Sequence, residues 1–188
     1  KKNIFSKILI PLENSIYKTA GINSKDQMDW MQYAIALLSF NLIGFLFLFV
    51  LLLIQNLLPL NPQNLPAVPW ALAFNTAISF VTNTNWQAYA GETTMSYFTQ
   101  MVGLTVQNFL SAATGIAVLL ALTRGIEGRS TTSVGNFWVD LTKSILYVLL
   151  PLSLLYALLL MSQGVVQSLA AYVTATGIEG SKQLIPLR

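Results

Sequence analysis

Ser79-Phe-Val-Thr-Asn-Thr-Asn-Trp-Gln87 is a run of small hydroxyl and amide residues set between strongly apolar stretches. A polar, helix-breaking cluster in that position is costly in lipid unless its backbone is shielded by protein or lines water. Directly before it, Trp70 to Val81 is apolar over about twelve residues, enough for one helix of about 18 Å and too short to cross a bilayer. A short apolar helix followed by a polar turn reads as a re-entrant segment, and the chain around it must then be membrane protein.

The composition agrees. Apolar residues make up 54% of the chain and charged residues 9%, where a soluble domain carries roughly a quarter charged. Mean hydropathy is +0.61. No Lys, Arg, Asp or Glu lies between Asp29 and Glu92, between Glu92 and Arg124, or between Lys143 and Glu179. Each window exceeds the roughly 20 residues that span a bilayer core. The chain is read as an all-α integral membrane protein. The small net charge of +3 carries no message about nucleic acid.

Cysteine and histidine are absent, which removes disulfides, thiolate catalysis, Cys/His transition-metal sites and imidazole acid–base chemistry. No paired-carboxylate or nucleophile–base constellation is found, so no catalytic residue is assigned. Gly125-Ile-Glu-Gly128 lacks the Lys and the preceding strand of a nucleotide loop. The opening Lys1-Lys2 has no Met, and the first hydrophobic run breaks at Pro11. No signal peptide is expected, and the chain is expected to be part of a longer one.

Residues 1–27 form a basic lead-in with Lys1, Lys2, Lys7, Lys18 and Lys25. Met28 to Leu58 is the first expected span, ended by Gln55-Asn56, Pro59 and Pro62. Leu57 to Pro69 is a Pro/Asn-rich loop. Thr93 to Thr123 is the second span, closing a unit over 28–123. On it Thr99, Gly103, Gln107, Ser111 and Gly115 recur every four residues and share a face, suited either to close helix packing or to a water-lined cavity. Residues 124–137 form a Gly/Ser/Thr loop with Arg124 and Arg129. Trp138 to Met161 is the third span, entered through Asp140 and Lys143, one turn apart and able to pair locally, with Pro151 as a kink. It opens the last region, 138–188, whose outer part is polar.

Lys and Arg cluster in the lead-in and around 124–143 and are missing from Asn56 to Glu92. Positive-inside reasoning therefore puts the lead-in and the 124–137 loop in the cytoplasm and the polar turn outside. The order span, short re-entrant helix, polar turn, span is that of a pore loop, giving a helix–pore-loop–helix repeat followed by the first helix of a second.

A dehydrated monovalent cation needs several oxygen ligands at once, which ion filters supply as backbone carbonyls. Thr82, Asn83, Thr84 and Asn85 suit this: Thr is poor in helix interiors, Asn tolerates left-handed backbone, and both add oxygens. The short helix aims its negative end at them. Trp86 would wedge the loop against surrounding helices, and Gln87 would ligate or lock it. Glu92 would concentrate cations at an outer mouth. The plainer readings stand beside these: an ordinary Thr/Asn loop, and a solvated Glu.

The run Asn75 to Gln87, with Pro59-Leu-Asn-Pro62, Gly91-Glu-Thr-Thr94 and Gly103-Leu-Thr-Val-Gln-Asn-Phe-Leu-Ser-Ala-Ala113, closely resembles the potassium-binding A subunits of the bacterial Kdp potassium-transporting ATPase, in the superfamily of potassium transporters. The resemblance covers nearly the whole chain. It implies four helix–pore-loop–helix repeats around a pseudo-fourfold axis, of which this chain holds the first and the start of the second. It implies that Thr82 to Asn85 form the first filter strand, with Gln87 just beyond, and that potassium is the ion carried, with no organic cofactor. ATP hydrolysis would belong to a separate P-type catalytic subunit, with small accessory membrane subunits beside it, in the bacterial inner membrane. Asn83 and Asn85 stand where potassium-channel filters carry glycine. Two other readings are a repeat of a Trk/Ktr-type potassium channel, whose filter would show glycine there, and a non-conducting membrane scaffold.

Overall fold

The computed structural model describes residues 4–128, 133–165 and 168–185; of the basic residues counted above, Lys1, Lys2 and Arg129 lie outside them. Among the described residues three helices are long and apolar enough to cross a membrane: Trp30–Leu53, Thr99–Glu127 and Phe137–Ser162. The first is α2, apolar on every side, with Leu42, Ile43, Leu46, Phe47 and Val50 all exposed. A helix that shows so wide an apolar face to its surroundings is built for lipid.

Helix α2 starts at Trp30 rather than Met28 because Asp29 caps it. Its Oδ1 accepts the Gln32 N–H at 2.8 Å, and Gln32 Oε1 accepts the Asp29 N–H at 3.1 Å. This reciprocal pair satisfies two donors that a helix start leaves open. The helix stops at Leu53, followed by a 3-10 turn over Gln55–Leu57.

The chain divides into two compact units, Lys1–Leu42 with Phe109–Leu155 and Ile43–Asn108 with Tyr156–Arg188. In the first, the lead-in is not loose chain: Ile4–Ala20 is a helix, α1, that buries Leu9 and Tyr17. Glu13 on α1 accepts the hydroxyls of Tyr17 at 2.9 Å and of Tyr147 at 2.5 Å. Met28–Asp29 (β1) pairs antiparallel with Ser133–Gly135 (β2), so part of the expected 124–137 loop is strand. Tyr33, Ala36, Ala113, Ala117, Phe137 and Leu141 form the core of this unit. Tyr33 and Phe137 meet edge-to-face at 5.5 Å.

The third span starts at Asn136, whose side chain accepts the N–H groups of Trp138 and Val139 and caps α6, Phe137–Lys143. The expected Asp140–Lys143 pair does not form. Asp140 is buried and taken by Arg124, at 2.6 Å, while Lys143 is exposed. Arg124 lies in the last turn of Val106–Glu127 rather than in a loop, which brings its guanidinium to the start of α6. Beyond α6 the helix widens into a π-helical stretch, Ser144–Leu149, just before Pro151, and resumes as Leu150–Ser162. The proline N cannot donate, and the irregular turn stands where that bond would have been.

In the second unit α3 (Trp70–Val81) has the bounds read from the sequence. Its residues Ala73, Thr76, Ala77 and Phe80 fall at helical spacing and are all buried, with Leu48, Leu52, Val68, Met95 and Leu104 around them. Phe74 meets Phe45 and Phe49 edge-on at 5.5 and 6.2 Å, which locks α3 against α2. After a one-turn helix, Gly91–Thr94 (α4), the second span begins at Thr99 rather than Thr93, with a π-helical stretch Thr99–Thr105 leading into α5, Val106–Glu127. Near the C-terminal end Val173–Thr176 (β3) and Lys182–Ile185 (β4) form a hairpin that the polar composition did not suggest.

Candidate ion-filter turn

The turn after α3 follows from where its N–H groups go. Asn83 N–H donates to Phe80 O at 3.3 Å, and Thr84 and Asn85 N–H both donate to Ser79 O, at 2.9 and 3.1 Å. The first two bonds make a Schellman cap, which requires a left-handed residue at Asn83. Asn83 has φ +57° and Asn85 has φ +54°. The tolerance of Asn for that region is therefore used twice.

No peptide bond in the described chain is cis. In a planar trans peptide the N–H of one residue and the C=O of the preceding one point in opposite directions. Three successive N–H groups aimed back at the end of α3 therefore turn the carbonyls of Thr82, Asn83 and Thr84 away from it. Residues 82–87 are exposed. The turn presents a row of neutral oxygens at the C-terminal end of a short helix, the negative end of its dipole.

Side chains stiffen this arrangement. Thr82 Oγ1 donates to Ile78 O at 2.9 Å and lies 2.6 Å from Thr84 Oγ1. Ser79 Oγ donates to Trp86 O at 2.8 Å and so pins the outgoing strand. Trp86 is 58% exposed in this chain, with its carbonyl held by Ser79. Gln87 lines a chamber of about 220 Å³ with Phe80, Gln100, Leu104, Thr105 and Asn108. Glu92 is exposed in the first turn of α4.

Two glutamines hold the surroundings: Gln55, which the sequence offered only as a helix end, and Gln107, which it placed on the packing face. Gln55 is buried, donates to the Pro66 and Thr94 carbonyls at 2.6 and 2.8 Å, and accepts from Ser96 N–H and Thr99 Oγ1 at 3.2 and 3.1 Å. Gln107 lies against Gly44, where a Cβ would sit 2.8 Å from its Oε1. A Cβ at Gly103 would sit 3.0 Å from Leu48 Cδ1. Of the two readings of the Thr99-to-Gly115 face, close helix packing is the one these contacts support; Gly115 itself is exposed. The signal for Gln55 was its polarity at the end of an apolar helix, where it looked like a stop.

These elements define a multi-span membrane protein with a short helix and an oxygen-presenting turn between its first two spans. The chain belongs to the family described as the potassium-transporting ATPase A subunit, whose model matches residues 1–188. It is similar to proteins named potassium-transporting ATPase potassium-binding subunit. The one from Pseudomonas aeruginosa is 59% identical over 187 residues, 100% of this chain and 33% of that protein. The one from Pseudomonas fluorescens is 62% identical over 96% of this chain and 32% of its own length, and the one from Geobacter sulfurreducens 59% over 92% and 29%. This chain thus spans about a third of the length of these relatives.

Proposed function

We propose that this chain is the first filter-bearing part of a potassium-binding and translocating membrane subunit. Potassium enters from the outside and is selected by the oxygens of Thr82, Asn83, Thr84 and Asn85, with Gln87 just beyond. The observation that carries this is the direction of the three N–H groups of Asn83, Thr84 and Asn85, which leaves carbonyls facing outward on an exposed turn. One such turn gives too few ligands for a dehydrated ion. The full site needs the equivalent turns of the remaining repeats, which would also cover the exposed Trp86. Glu92 adds a negative charge near the outer entrance.

The relatives' shared name supports a non-hydrolytic role; a separate P-type catalytic subunit would hydrolyse ATP, and small accessory membrane subunits would complete the complex. The lysine-rich lead-in and the 124–137 loop favour the cytoplasm, which sets the turn on the outer face of the bacterial inner membrane.

The test is potassium uptake by the full-length subunit in its complex, carrying Asn85→Asp or Gln87→Arg. Each variant is expected to change potassium affinity and rubidium discrimination. Unchanged affinity and selectivity in both would overturn the filter assignment and favour a non-conducting scaffold.

A further inference from the structure

The bonds of Thr82, Thr84 and Ser79, and the backbone bonds of the turn, hold it to α3 or to itself. Asn85 makes one of a different kind. Its Nδ2 donates to Oδ1 of Asn108 at 2.9 Å, 23 residues further on, in α5. The same amide lies 3.4 Å from Asn83 Oδ1. One side chain therefore joins both left-handed residues of the turn to the second span.

Asn108 is placed for this by the helix that carries it. The π-helical stretch Thr99–Thr105 ends just before it. An extra residue in one turn advances everything after it by about 100° around the helix. Gln107 then lies on Gly44 while its neighbour Asn108 reaches the turn and lines the chamber beside Gln87. The chemistry is also apt. A neutral amide oxygen accepts the bond without setting a full charge beside a cation path, as a carboxylate would.

We infer that Asn108 is a positioning residue for ion selection: it holds Asn85 in its left-handed conformation and so fixes the spacing of the carbonyls that precede it. This rests on the reading of Thr82 to Asn85 as filter strand. A turn freed from α5 must be ordered when the ion binds, which weakens binding. It can also close onto a smaller ion, which costs discrimination against sodium.

The experiment is a potassium titration of transport, with and without competing sodium, by the full-length subunit in its complex. Asn108→Ala is expected to raise the apparent KM for potassium about five-fold, the factor one neutral hydrogen bond carries, with kcat changed less than about two-fold and sodium inhibition increased. Asn108→Asp, which keeps the acceptor, is expected to retain more of the sodium discrimination than Asn108→Ala. Asn85→Ala with Asn108→Ala should be no worse than the poorer single variant, since both remove one bond. If Asn108→Ala does not assemble, Asn85→Gly removes the same bond while allowing the same backbone. Wild-type KM and selectivity in Asn108→Ala or Asn85→Gly, or losses that multiply in the double variant, would overturn the inference. If Asn85→Asp and Gln87→Arg still alter selectivity then, the filter reading survives; if they too are silent, both fail.

Discussion

Arg124 grips Asp140 through two guanidinium nitrogens, at 2.6 and 2.8 Å, across 16 positions of sequence. Nη1 also donates to Val134 O at 3.2 Å, and the Tyr33 hydroxyl lies 3.1 Å from the same carboxylate. The pair is lopsided, since the Asp140 side chain is 5% exposed and that of Arg124 41%. Removing Arg124 strands a buried charge, whereas removing Asp140 leaves a guanidinium that can turn to water. Arg124→Ala is expected to cost about 3 kcal/mol, and Asp140→Asn less than half of that. Thermal unfolding of the detergent-solubilised full-length subunit measures both; an equal or larger loss in Asp140→Asn would refute the asymmetry.

Gln55 uses both ends of its amide, and its four partners belong to two separate stretches of chain, at Pro66 and over 94–99. Gln55→Leu leaves the buried Ser96 N–H unpaired and takes a partner from the other three, with an expected loss of about 3 kcal/mol. Gln55→Glu keeps the accepting oxygen but sets a carboxylate against the Pro66 and Thr94 carbonyls, so it should be at least as harmful. A Glu variant that unfolds at the wild-type temperature would show that the donor bonds do not matter.

At Asn83 the backbone is the requirement. With φ +57°, glycine fits and a β-branched residue does not. Asn83→Gly is expected to transport with near-normal potassium affinity. Asn83→Val carries about 1–2 kcal/mol of strain, enough to lower affinity about tenfold. Equal affinities in the two variants would mean that the working turn does not use this conformation.

The Tyr89 hydroxyl is buried without a hydrogen-bond partner among the described residues, and burial pushes its pKa up from 10.0 to about 12. The folded protein therefore holds this proton more tightly than the unfolded chain. Stability from this group is complete below pH 10 and drains away as pH rises through 12. Tyr89→Phe is expected to be as stable as wild type at neutral pH, or more so by about 1 kcal/mol, and to lose less between pH 10 and 12. Denaturation midpoints across that range check it; parallel losses in both proteins would assign the alkaline transition elsewhere.

Apolar length made three spans and the short helix legible, and α3 has the bounds read for it because a proline precedes it and Thr82 follows. The left-handed asparagines were legible from residue chemistry. What escaped depends on contacts distant in sequence. Asp140 looked like a partner for Lys143 until folding put Arg124 beside it. Met28–Asp29 reads as helix unless its pairing with Ser133–Gly135 is known. Gln55 resembles a helix stop because its partners lie up to 44 residues away. Helix α1 was hidden by its lysines.

The central claim is that the outward carbonyls of the turn hold the transported ion. The most direct measurement is the structure of the full-length subunit in thallium or rubidium, heavy ions that stand in for potassium. A cation peak within about 3 Å of the Thr82, Asn83 and Thr84 carbonyl oxygens, the contact range for a stripped monovalent ion, is the result this account predicts. A peak elsewhere along the subunit, with this turn facing protein or lipid and no ion beside it, would contradict it.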